Sequence, residues 1–245
     1  MKINYKILGE GKENLLFLHG WGCDNHIFDG LIEELKYDYK IVNLDLFGFG
    51  QSELNEEIND IYSYALNLFI LIQELKLKKI TIVAHSFGGR LALILASLFD
   101  LEIERLVLIG CAGLKPKRNL VYYLKVYKYK FLKSLKKIGL KNINLEKYGS
   151  DDYKKLSNEM KKLFVRVVNQ DLGWTLKYIN VKSDVIFGKL DKDTPIYMAK
   201  KLHRNILDSK LYLLKDCGHF CFLEESRKVL RIIKNKNYKC AIIKY

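Results

Sequence analysis

The run Ile80-Thr81-Ile82-Val83-Ala84-His85-Ser86-Phe87-Gly88-Gly89 constrains this chain more than any other stretch. A β-branched apolar segment leads straight into a serine, and residues 90–98 follow with the apolar content of a buried helix. A strand that becomes a helix within so few residues must turn sharply. The positions two before and two after the serine must then be small. Gly88 meets that demand, and Ala84 stands where glycine is more usual, a departure of one methyl group. Such a turn holds the Ser86 hydroxyl clear of the sheet at a helix N-terminus, where the helix dipole and free N–H groups favour developing negative charge.

The same alternation extends along the chain. Apolar runs at 15–18, 41–44, 80–83, 106–109, 185–187 and 211–214 read as buried strands. Helical spacing marks 26–36, 60–76, 90–98, 195–203 and 223–234. Buried strands alternating with helices predict an α/β fold with a mostly parallel central sheet flanked by helices on both faces. The alternation pauses once, where 119–137 and 151–168 both read as helices. A length of 245 residues, 49% of them apolar, suits one large domain with an insertion. The expected division is a core of 1–112 and 179–245, with a helical cap over 113–178.

Charge follows that division. The formal net charge is +14, and residues 113–178 hold 17 Lys/Arg against five acids, a net of +12. The remainder carries 25 basic and 23 acidic groups and is close to neutral. The cap is also rich in Tyr and Leu, with Leu120, Leu124, Tyr127, Phe131 and Leu135 at helical spacing. The simplest reading makes these the cap's own core and its packing on the sheet. Any aromatics left over would line an apolar pocket. Cys23, Cys111, Cys217, Cys221 and Cys240 are scattered without paired metal-type spacing, and read as free thiols of a reducing compartment. With charges where a signal peptide needs an apolar stretch, and no apolar run of about 18 residues, a cytoplasmic protein without a membrane span is expected.

A serine poised in this way needs a base, and the base needs an orienting acid. Asp191 follows the strand 185–187, and His219 follows the strand 211–214 within Cys217-Gly218-His219-Phe220. Both lie in loops at the ends of the sheet strands, in the order Ser, Asp, His. Asp193 could instead cap the helix near Pro195, a role that also suits Thr194, and motif register favours Asp191 as the acid. His26 and His203 stand in no motif and read as solvated. An oxyanion needs two aimed N–H groups. Phe87, next to the serine, offers one, and Trp21, in His19-Gly20-Trp21-Gly22 after the first buried strand, offers the other.

These residues resemble the α/β-hydrolase fold family, over the chain up to about residue 234. The likeness rests on His19-Gly20-Trp21-Gly22, Asp45 with Gly48-Phe49-Gly50-Gln51-Ser52, His85-Ser86-Phe87-Gly88-Gly89, Gly188 with Asp191 and Pro195, and Gly218-His219. Ala84, Phe47 where proline often stands, and the lysine-rich tail 235–245 depart from the family pattern. The resemblance implies two-step acyl transfer by Ser86, His219 and Asp191, with the N–H groups of Trp21 and Phe87 as oxyanion hole and neither metal nor cofactor.

A carboxylesterase-like serine hydrolase of a small, partly apolar acyl substrate is therefore expected. The resemblance leaves two alternatives with the same residues. One is an esterase for acyl groups on acyl carrier protein, an acidic partner read by the basic cap; the other is a hydrolase of carbon–carbon bonds. A cap that only binds nucleic acid or anionic membrane is disfavoured, because no nucleic-acid motif accompanies the charge and a complete triad would be unnecessary.

Overall fold

The structure, a computed structural model, describes residues 3–117, 120–138 and 156–234. Seven strands form one sheet: β1 (Tyr5–Leu8), β2 (Glu13–Leu18), β3 (Tyr39–Leu44), β4 (Ile80–His85), β5 (Ile103–Ile109), β6 (Lys182–Gly188) and β7 (Ser209–Leu214). Their order across the sheet is β1-β3-β2-β4-β5-β6-β7. Only β1 runs antiparallel, pairing Tyr5 with Leu44 and Leu8 with Ile41. The sequence reading lacked β1 because its residues are mostly exposed at the sheet edge and lack the apolar run of a buried strand.

The inner parallel strands are buried nearly throughout because helices cover both faces, whereas β7, at the sheet edge, is only partly buried. Alternate residues of each strand serve opposite cores. Leu16, Val42, Ile82, Leu106 and Val185 pack with α2 (Ile61–Glu74) and α3 (Phe87–Leu98). Leu15, Phe17, Ile41, Val83, Val107 and Ile186 pack with α1 (Asp29–Leu35) on the other face. Local signals start the helices where expected. Asp60 caps α2 by accepting from the Ser63 and Tyr62 N–H groups at 2.8 and 3.0 Å, and Ser63 bonds back to the cap.

Between β5 and β6 lie α4 (Leu120–Lys137) and α5 (Asn158–Asn169). The expected helix over 151–168 is thus present from Asn158, and 151–155 lie outside the described residues. α5 is docked on the core. Met160, Leu163 and Val167 are buried in it, and Arg90 of α3 donates to the carbonyls of Val168 and Gln170 at 3.3 and 2.9 Å. α4 behaves differently: Leu120, Leu124, Tyr127 and Phe131 are exposed rather than forming a core. Periodicity identified that helix, but periodicity alone does not say that a partner exists for the apolar stripe.

After β6 come α6 (Ile196–Asn205), then β7, the short α7 (Cys221–Glu224) and α8 (Ser226–Lys234). Cys23, Cys111, Cys217 and Cys221 are free thiols; Cys240 and the tail 235–245 lie outside the described residues. Among the described residues no helix is long and apolar enough to cross a membrane.

Candidate active site

Ser86 occupies the turn between β4 and α3 with φ 49° and ψ −106°. A non-glycine residue at positive φ costs about 1–3 kcal/mol and persists only where its surroundings impose it. Here they do. The Ser86 N–H donates to Ile109 at 3.1 Å, its carbonyl accepts from Gly89 and Ala112, and the Gly88 N–H donates to His19 at 3.0 Å. The glycines are needed for approach. A Cβ on Gly88 would fall 2.2 Å from the Leu18 carbonyl oxygen, and one on Gly89 would fall 2.5 Å from the Cys111 sulfur. The Ala84 methyl is accommodated in the fully buried β4. Burial pushes the nearby Cys111 thiol up to about 12, so it stays protonated and is a poor competing nucleophile.

The loop after β7 brings His219 to the same place. Its Nδ1 lies 2.8 Å from Asp191 Oδ2, in the loop after β6. Asp193 does not take that position; its N–H donates to Asp191 Oδ1 at 2.9 Å. Thr194 supplies two more donors to Asp191, its N–H at 2.8 Å and its hydroxyl at 2.6 Å. Burial alone would raise the Asp191 carboxyl, but the bonds from His219 and Thr194 outweigh it and hold the group below the ordinary carboxylate range. With Nδ1 directed at Asp191, Nε2 of His219 is left for the serine side of the cavity. Gly110, at φ 50°, lets the chain pass the ring, since a Cβ there would lie 3.2 Å from His219 Nδ1.

Trp21 and Phe87 both line the cavity that holds Ser86 and His219. Phe87 begins α3, where N–H groups have no partner within the helix. The Trp21 ring packs edge-on against Phe49, Phe87 and Phe164, the last from α5, at 4.9 to 5.0 Å. His19 braces the loop, donating from Nδ1 to the Gly20 carbonyl at 2.8 Å and accepting at Nε2 from Leu46 N–H at 2.9 Å. Asp45 gathers the next loop by accepting from Asn4, Asn25 and Gln51. Gly50, at φ 54°, is required there because a Cβ would meet the Asp45 carboxyl at 2.3 Å. The other motif-free histidines lie elsewhere: His26 pairs with Asp29 on the surface and His203 bonds Ser209.

Three contributors escaped the sequence reading. Thr194 is a partner of Asp191 rather than a helix cap. Arg90 lines the cavity and ties α5 to α3. Its helical register, one turn past Ser86, was the available signal. His85 lies beneath the site, its Nε2 donating to the His219 carbonyl at 3.1 Å and its ring 4.7 Å from the His219 ring. Burial, followed by the neighbouring His219, pushes His85 down to about 3, and burial also lowers His19.

A histidine lowered in the folded state binds its proton more readily when unfolded, so stability is full above about pH 6.5 and drains as pH falls. Replacing His85 by Gln removes one such group. Between about pH 5.5 and 4 the fall in unfolding free energy is expected to become shallower by about 1.4 kcal/mol per pH unit. Urea titrations of both proteins across that range check this, and parallel slopes would contradict it.

A parallel sheet with an inturned serine at its central strand, and a histidine–carboxylate pair at the neighbouring strand ends, defines an α/β hydrolase. A family model described as alpha/beta hydrolase fold matches residues 13–127, and the chain has the alpha/beta-hydrolase fold. An AB hydrolase superfamily protein of Bacillus subtilis is 25% identical, over 92% of this chain and 91% of its own length. A pimeloyl-[acyl-carrier protein] methyl ester esterase of Wigglesworthia glossinidia brevipalpis is 26% identical, over 94% and 95%. Among solved structures, a lipase-esterase related protein from Clostridium acetobutylicum superposes with a TM-score of 0.73 at 26% identity, covering 95% of this chain and 98% of that one. The protein is an enzyme with this fold.

Proposed function

We propose that the protein is a serine hydrolase that cleaves a carboxylic ester of a small, partly apolar acyl substrate. Ser86 attacks the carbonyl carbon as His219 takes its proton, and Asp191 stabilises the imidazolium that forms. The N–H groups of Trp21 and Phe87 hold the oxyanion. His219 then returns the proton to the leaving alcohol. Water, activated by the same histidine, releases the acyl group. Residues 113–178 act as a lid, with α5 forming part of the cavity wall.

The observation that carries this reading is the single cavity of about 350 Å³ onto which Ser86, His219, Trp21 and Phe87 all open. Its wall is largely apolar, from Leu114, Phe164, Val167, Met198 and Phe220. Such a wall suits an acyl chain. A series of nitrophenyl esters of increasing acyl length tests it. Short acyl groups are expected to be turned over best, with kcat/KM falling once the chain outgrows the cavity. Uniformly negligible turnover, equal to that of Ser86→Ala, would contradict ester hydrolysis.

A further inference from the structure

Helix α4 carries an apolar line with no cover. Leu120, Leu124, Tyr127 and Phe131 are 74%, 60%, 68% and 64% exposed. At 3.6 residues per turn these four fall within an arc of about 60°. Ile138, just past the helix, continues the line and is 76% exposed. The 18 residues of α4 hold six lysines and no acid. None of the lysines interrupts the line. Lys128 and Lys130 flank it on either side, Lys133 and Lys136 lie further round, and all four are exposed.

From this arrangement we infer that α4 is an interfacial helix that docks the protein on an anionic lipid surface. An exposed apolar stripe flanked by lysines is the pattern by which a helix lies in the plane of a bilayer. Leucine and aromatic side chains enter the acyl boundary, and the lysine stems reach outward to lipid phosphates. A second copy of the chain fits poorly, because stripe-to-stripe pairing would bring two six-lysine helices together. An acidic protein partner would face the lysines, whereas the outermost line here is apolar and convex.

The position of α4 gives the docking a use. The segment leading into it walls the catalytic cavity through Leu114 and Pro116, and the Lys117 N–H is fixed to the Tyr197 hydroxyl at 2.9 Å. A lipid surface held at α4 would thus be joined to the cavity wall through only a few residues of chain. The docking itself does not depend on which bond Ser86 cleaves.

Vesicle co-sedimentation tests the inference, using phosphatidylcholine vesicles with and without about one quarter phosphatidylserine. The full chain is expected to pellet with the anionic vesicles and to remain in solution with the neutral ones. The pair Leu124→Ser and Phe131→Ser keeps every charge and should weaken binding at least about tenfold. Lys128→Gln and Lys130→Gln, the two lysines that flank the line, should each weaken it about fivefold. Both side-chain sets are exposed, so unchanged circular dichroism and unchanged turnover of a soluble ester serve as controls. Absence of binding to anionic vesicles overturns the inference. So does binding that falls with the lysine variants yet ignores Leu124→Ser and Phe131→Ser, which would point to an acidic macromolecule. A dimer in solution dissolved by the same apolar pair would assign the stripe to a second copy instead.

Discussion

Ser86→Ala is expected to lower ester turnover by about 10⁴ to 10⁶-fold while leaving the fold intact. The hydroxyl is small and faces the cavity, and the bonds that impose the Ser86 turn are all made by backbone atoms. Removing it takes away the proposed nucleophile without releasing the turn. Three residues acting as one unit do not contribute separately. His219→Ala alone should cost nearly as much, and adding it to Ser86→Ala should cost little more. Asp191→Asn should cost about 10⁴-fold, because an amide in place of the carboxylate no longer holds His219 in the needed tautomer. Thr194→Val is a milder perturbation, removing the hydroxyl that lies 2.6 Å from Asp191 Oδ2 and 3.1 Å from the Gly110 carbonyl while keeping the N–H bond to Asp191. Steady-state kinetics on the single and double variants measure these effects. Multiplying losses in the Ser86/His219 double variant would show that the two residues work independently.

The largest effect on stability is expected at a site remote from the chemistry. Arg105 of β5 and Asp184 of β6 form a buried ion pair, with Nε donating to Oδ2 at 2.6 Å. The guanidinium also donates to the carbonyls of Ile232 and Ile233 at 2.6 and 2.8 Å, near the C-terminal end of α8. One arginine thus joins two central strands and satisfies carbonyls that a helix end leaves without partners. Asp184→Asn leaves that cation buried without its counter-charge and should destabilise the protein by about 3–5 kcal/mol. Arg105→Met combined with Asp184→Leu should restore much of the loss, since well-packed apolar pairs often replace buried ion pairs at little cost. Urea unfolding resolves the difference. A loss below about 1 kcal/mol for Asp184→Asn would show that the pair is not the anchor its geometry suggests.

Much of this architecture was legible in the sequence because its signals are local. An apolar strand followed at once by small residues around a serine leaves one practical geometry, and Ser86 adopts it. The inner parallel strands announced themselves as largely apolar runs because both their faces are covered. What escaped depended on contacts made at long range. β1 is an exposed edge, so nothing selects an apolar pattern. Thr194 resembled a helix cap until the fold brought Asp191 within reach. His85 and Arg90 act through carbonyls of residues 219, 168 and 170, which no spacing rule connects to them. The basic segment is the instructive case: its helical period was readable, but whether Leu124 and Phe131 meet protein or solvent is a property of the assembled fold.

The proposed chemistry requires Ser86 to be activated by His219 and Asp191 within one cavity. Labelling the folded protein with a fluorophosphonate and reading its intact mass tests that most directly. One adduct per chain is expected, mapped to Ser86 by peptide analysis and greatly slowed by His219→Ala. No adduct, or an adduct on another residue with Ser86 unmodified, would contradict it.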